Sequence, residues 1–210
     1  MTFLGWFFAA LTNPHLTQVL DLGALLVLGA SLQLLAHILR VWLPPFGLFA
    51  ASFFFAHSGQ GYQDTHANTY VSSVKAAHRW LGFIHAMYML GCLIGPFVST
   101  AVSAANTPSN WNLFYSFPLG LCAINVGVTA WAFRDTLRLK PTGNETSQDT
   151  EARSSVNKSA LRSVQETIKI PAVWILSLYF FFFLGVAITA SGWVVTYLVE
   201  VRNGDVSKVG

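Results

Sequence analysis

Charged side chains are scarce in this 210-residue chain: Asp, Glu, Lys and Arg make up only 10% of it. A soluble domain carries about 25%, because its surface faces water. The scarcity excludes an ordinary hydrated surface and leaves lipid as the medium that most of the chain faces. The net charge of +3 is too small to make nucleic acid a partner. Cysteine is nearly missing, and Cys92 and Cys122 both fall inside apolar runs, which excludes a disulfide framework and metal-type spacing. His15, His37, His57, His66, His78 and His85 form no H-x-x-x-H pair, the arrangement that a helix-borne metal site favours. The chain also lacks a phosphate-cradling glycine loop and a nucleophile elbow. Neither enzyme activity nor a metal or other cofactor is expected.

What the chain has in abundance is apolar sequence: 53% of it is hydrophobic and the mean hydropathy is +0.51. Met1–Leu11 is a short apolar run closed by Thr12 and Asn13-Pro14. It lacks a basic flank and a small-residue cleavage site, so it is read as a partial span rather than a signal peptide. Leu20–Leu39, Trp80–Ala104, Trp111–Phe133 and Pro171–Val199 are long runs, each able to cross about 30 Å of hydrocarbon as a helix of roughly 20 residues. From Phe46 the chain is apolar to about Ala56 and then polar to Lys75; this segment spans only if its polar half faces protein or water. Open strand edges do not survive in lipid. The expected fold is therefore all-α, a polytopic transmembrane bundle of about six membrane helices. Trp42, Trp80, Trp111, Trp131 and Trp174 all fall near the expected ends, where amphipathic rings favour the interface.

Basic residues set the expected orientation. Arg134, Arg138, Lys140, Arg153, Lys158, Arg162 and Lys169 share one polar stretch. If that stretch is cytoplasmic, alternation puts Lys75 and Arg79 inside as well and leaves only Arg40, Arg202 and Lys208 outside, a clear positive-inside bias. Asn144-Glu145-Thr146 and Asn157-Lys158-Ser159 match glycosylation acceptors, which would be used only on a lumenal loop; the charge bias outweighs them. Residues 134–170 are polar and poor in aromatics, so this central cytoplasmic loop is expected to be largely disordered, with a short amphipathic helix at Ala160–Ile168. The expected organisation is thus a helical half over 1–133, the loop over 134–170, and one further helix with a tail over 171–210.

The third segment carries the most chemistry. Residues four apart share a helix face, so Gln60, Asp64 and Asn68 form a polar stripe, joined by His57. Asp64 is an acid well inside a proposed span, about 16 Å along the helix from Lys75. An ionised carboxylate there must face a cavity, find a partner or take up a proton. The plainer alternatives are a structural anchor between helices, or a polar loop. In the next segment His85 and Tyr88 share a face and are placed to meet the stripe, although such a histidine is more often a satisfied interior group. Gly91, Gly95, Ser99 and Ser103 make a small-residue stripe suited to close helix packing, and Pro96 removes a backbone hydrogen bond. Thr189, Ser191 and Gly192 in the last segment suit helix–helix bonding as well as they suit solute contact.

Gly82, Gly91 and Gly95-Pro96 have the spacing of the motif in the fifth helix of many major facilitator superfamily transporters. Gly59-x-Gly61-x-x-Asp64-Thr65-x-Ala67-Asn68-x-x-Val71 resembles the fourth-helix signature of the fucose-permease-like branch, and Gly192–Arg202 is similar to the seventh helix of its fungal members. The resemblance implies a partial major-facilitator fold, with segments corresponding to the second through seventh of twelve helices, completed by other transmembrane helices. It also implies secondary active, proton-coupled transport (symport) of a small polar, sugar-like solute by alternating access. Asp64 would be the coupling acid, and Gln60, Asn68, His85 and Tyr88 would line the path. Three departures stand out: Ser99-Thr100 replaces a closing glycine pair, Asp21 is the only charge left in the Asn13–Gly23 stretch, and Ala187 stands near a position where an acid is common. The other expectation is a truncated, non-transporting membrane protein that only packs with partner helices.

Overall fold

The computed structural model describes residues 1–105, 111–138, 162 and 165–203. Six long helices follow one another: α1 (Thr2–Val19), α2 (Leu22–Val41), α3 (Phe46–Ser73), α4 (Ala77–Ala105), α5 (Ser116–Ala132) and α6 (Pro171–Glu200). Short 3-10 turns at Trp111–Tyr115 and Arg134–Thr136 bracket α5. Among the described residues four helical stretches are long and apolar enough to cross a membrane: Leu22–Val41, Ala77–Val102, Asn112–Ala132 and Pro171–Glu200. The glycosylation patterns at Asn144 and Asn157, the 106–110 link and most of the central loop lie outside the described residues. Of the short helix expected at Ala160–Ile168, residues 165–168 are helical, and Arg162 Nε donates to Glu166 Oε1 at 3.0 Å.

Two elements run further than their sequence suggests. The apolar run of α1 ends at Leu11, yet the helix continues through Pro14 to Val19. Proline removes only one ladder bond, and Thr17 Oγ1 donates to the carbonyls of Asn13 and Pro14 at 3.0 Å each. α3 continues unbroken through its polar half to Ser73, so the loop alternative for the Gln60–Asn68 stretch is replaced by helix. The ends fall where the chemistry demands. Pro44 and Pro45 separate α2 from α3, and Ala76, at φ 62°, turns the chain from α3 into α4.

The chain forms two compact units, Met1–Ala160 and Leu161–Gly210. In the first, α3 is the hub. It runs parallel to α1: Ser58 Oγ donates to the Gly5 carbonyl at 3.2 Å, Tyr62 hydrogen-bonds Thr12, and His66 Nε2 donates to Asn13 Oδ1 at 2.7 Å. On its other flank α3 runs antiparallel to α2, with Gly59 crossing Gly29 and Ser52 meeting Arg40. α2 in turn packs antiparallel to α5, bringing Gly23 against Phe133 and Thr136. The row is α1–α3–α2–α5, with α4 resting lightly on α3. The core is correspondingly small-sided: Ala9, Leu25, Ala30, Ala36 and Ser52 are almost completely enclosed. Small residues let backbones approach where lipid supplies no hydrophobic drive between helices.

Large apolar side chains point outward over most of the surface, among them Phe97, Ile124 and Trp131. An aqueous monomer does not expose apolar surface on this scale. In the second unit α6 presents Ile175, Phe181, Val186 and Ile188 around its circumference, as a helix surrounded by apolar material does. The chain is an integral membrane protein with an all-helical fold. Trp42 follows the end of α2, Trp80 and Trp174 lie in the first turns of α4 and α6, and Trp131 in the last turn of α5.

Candidate functional site

Successive residues of an α-helix turn by about 100°. On α3 this separates three faces. Ser58, Tyr62 and His66 look toward α1, while Ser52, Gly59 and Gln63 look toward α2. Gln60, Asp64 and Asn68 occupy the third sector, which neither partner covers. Asp64 is exposed there, with Gln60 and Asn68 half-buried. Asn68 Nδ2 donates to Asp64 Oδ1 at 3.0 Å, so the acid is held by a neighbour one turn along and meets no cation: among the described residues the ion pairs are Arg134–Asp135 and Arg162–Glu166.

Tyr88 on α4 lies near enough to Asp64 for the two to interact electrostatically, and it hydrogen-bonds Cys92 on its own helix. His57 and His85 each bond within their own helix. His85 Nδ1 donates to the Leu81 carbonyl at 2.8 Å, and His57 Nδ1 donates to the Phe53 carbonyl at 2.7 Å. Ser191 Oγ likewise bonds back to the Ala187 carbonyl at 2.8 Å. On α4, a methyl group added at Gly82, Gly91 or Gly95 would meet nothing within 4 Å, so the small-residue face around Pro96 stands open. The tightly packed glycines lie elsewhere: Gly5, Gly23, Gly29, Gly59 and Gly61.

Sequence reasoning misses a cluster of amides one step round the helix from the stripe. Gln33 Nε2 on α2 donates to Gln63 Oε1 at 2.8 Å, and Asn125 Nδ2 on α5 donates to the same oxygen at 3.3 Å. Gln63 Nε2 reaches the Leu26 carbonyl at 3.3 Å, and Thr129 Oγ1 donates to Asn125 Oδ1 at 3.2 Å. Three helices are thus joined through one side chain. The available signal is a single amide inside each of two otherwise apolar runs, since such residues commonly bond across helices in lipid.

By sequence Arg40 is only an outside charge that closes a span. In the fold it is buried, at 5% relative exposure. Its Nε donates to Ser52 Oγ at 2.8 Å, and its guanidinium lies 4.0 Å from the centre of the Phe53 ring and 5.5 Å from that of Tyr115. Aromatic faces replace the carboxylate that a buried arginine usually takes. No group of three or more His, Cys, Asp or Glu side chains able to hold a metal occurs among the described residues.

The profile described as Major Facilitator Superfamily matches residues 1–210. The chain is also 23% identical over 223 residues to "Bypass of stop codon protein 6" of Saccharomyces cerevisiae (strain ATCC 204508 / S288c), covering 96% of this chain and 42% of that protein. The chain therefore spans about two fifths of the length of this relative.

Proposed function

This chain belongs to the Major Facilitator Superfamily, a family of membrane transporters rather than enzymes, and we propose that it serves secondary active transport of a small polar, sugar-like solute coupled to protons. The observation that carries this reading is the position of Asp64. It stands within the helix, on the sector of α3 that neither α1 nor α2 covers, and among the described residues it makes no ion pair. A carboxyl group so placed relieves its charge by taking up a proton or by meeting water in a cavity. Gln60 and Asn68 add hydrogen-bonding groups on the same sector, suited to solute hydroxyls, and His85 and Tyr88 offer the facing wall from α4. In this reading residues 134–170 are a cytoplasmic loop that joins two helical halves, and transport proceeds by alternating access around a site at the membrane midplane.

The test is uptake of radiolabelled hexoses by proteoliposomes under an imposed pH gradient. Asp64→Asn is expected to abolish proton-driven uptake while sparing exchange of solute across the membrane. Uptake that is the same for both proteins at every pH removes Asp64 from the mechanism.

A second reading is that the chain does not transport alone and acts by packing with other transmembrane helices. The open glycine face of α4 and the outward apolar side chains of α6 favour it. Absence of hexose uptake by the purified chain, together with recovery of stable complexes with added transmembrane helices, would select this reading over the first.

A further inference from the structure

The amide cluster lies at one end of a cleft. α3 is bridged at two places to α5 and the residue that follows it: Gln63 meets Asn125 at one, and at the other the rings of Tyr70 and Phe133 meet edge to face with centroids 5.5 Å apart. Seven residues separate Gln63 from Tyr70, so the two bridges are roughly 10 Å apart along the helix. Between them lies a cleft of about 270 Å³, walled by Leu26, Ala67 and Val71 and bordered by Thr129. It has a polar end, an aromatic end and apolar sides, and no ionisable acid or base other than the Tyr70 phenol lines it.

The hydrogen-bonding capacity left at the polar end is specific. Gln63 Oε1 already accepts two bonds, from Gln33 and Asn125. An amide nitrogen has two hydrogens, so Asn125 Nδ2 keeps one donor. Thr129 Oγ1 spends its hydrogen on Asn125 and keeps its acceptor lone pairs. A donor and an acceptor thus remain on adjacent side chains of α5, one turn apart. The complement is an uncharged group that both accepts and donates, which describes an alcohol. A carboxylate or phosphate finds no cation here, and an ammonium finds no anion.

We propose that this cleft is a binding site for a neutral membrane amphiphile with a single hydroxyl head, the hydroxyl seated between Asn125 and Thr129 and the apolar body running toward the Tyr70–Phe133 bridge. Pockets of this kind are mostly apolar with a few placed polar groups. The site occupies the α2- and α5-facing side of α3, next to the Asp64 stripe, and it does not depend on the transport reading.

The probe is a diazirine-bearing medium-chain alcohol, photolysed with the full chain in phosphatidylcholine nanodiscs and mapped by peptide mass spectrometry. Label is expected to concentrate on residues 63–71 and 125–133, and 1-octanol is expected to compete about tenfold better than n-octane, the difference one hydrogen-bonded hydroxyl supplies. Ala67→Phe, which fills the middle of the cleft, is expected to remove the label, and Thr129→Val to weaken capture while leaving the helical circular dichroism unchanged. Label spread evenly over the lipid-facing helices, or equal competition by octane and octanol with the unmodified chain, overturns the proposal. The octane–octanol comparison needs no variant and so stands even where Ala67→Phe misfolds.

Discussion

Substituting alanine for glycine at two positions of α3 is expected to destabilise the fold at one and not at the other, because only one of them lies in a helix crossing. A methyl group on Gly59 falls inside contact distance of the Gly29 carbonyl oxygen, 3.0 Å from Leu32 Cβ and 3.1 Å from Gln33 Cγ. The reciprocal methyl on Gly29 falls 2.7 Å from the Gly59 carbonyl oxygen. A main-chain oxygen cannot swing aside as a side-chain tip can, so α2 and α3 must part by roughly 1 Å to restore an ordinary contact of about 3.5 Å. Overpacking of this kind costs about 1–3 kcal/mol. The parting also stretches the 2.8 Å Gln33–Gln63 bond beyond hydrogen-bonding range, a loss of about 0.6 kcal/mol for an average interhelical bond in a membrane. Alanine's better helix propensity returns up to about 1 kcal/mol, leaving Gly59→Ala destabilised by about 1–3 kcal/mol. A methyl on Gly47, in the first turn of the same helix, meets nothing within 4 Å. Only the propensity gain applies there, so Gly47→Ala is neutral or stabilising by up to about 1 kcal/mol. Reversible unfolding in sodium dodecyl sulfate, followed by tryptophan fluorescence, reads both midpoints. Equal midpoints for the two variants would refute the crossing at Gly29–Gly59.

At Arg40 both the charge and the planar shape are expected to matter. Arg40→Lys replaces a stacked guanidinium with a compact ammonium and is expected to lose about 2 kcal/mol, and Arg40→Met, which removes the cation from the Phe53 and Tyr115 faces and the bond to Ser52, is expected to lose at least as much; the same unfolding assay ranks them, and a Met variant as stable as the unmodified chain refutes the aromatic account. Tyr62→Phe removes one bond across the α1–α3 seam, and Thr12 Oγ1 keeps its 2.7 Å bond to the Phe8 carbonyl, so the expected loss is only about 0.6 kcal/mol and at most about 1.7 kcal/mol. A larger loss measured for Tyr62→Phe would mean that the seam relies on this one pair.

Much of the candidate site is legible in the amino-acid sequence, for local reasons. Four-residue spacing alone puts Gln60, Asp64 and Asn68 on one face, and the fold keeps them there, with Asn68 bonded to Asp64. Tyr88 can be matched to them only as a residue of the next helix with the right facing. His57 and His85 show the limit of such matching. Spacing places them beside the stripe, and it does not show that Nδ1 of each ring bonds to a carbonyl one turn back on its own helix. The Gln33–Gln63–Asn125 cluster joins residues 30 and 62 positions apart, and no period in the sequence announces a meeting of that kind.

Residence in the membrane, the all-helical architecture and the approximate ends of the helices were determined by the sequence alone. They follow from composition and from the obligation of each backbone to satisfy its own hydrogen bonds in lipid, which acts segment by segment. The continuation of α1 past Pro14, the choice of the Gly29–Gly59 crossing over the open Gly91–Gly95 face, the aromatic enclosure of Arg40 and the sector of α3 left uncovered beside Asp64 were decided only by tertiary structure. Lipid is as apolar as the helices themselves, so lateral packing is set by the fit of particular side chains across helices, and that fit exists only once the helices stand together.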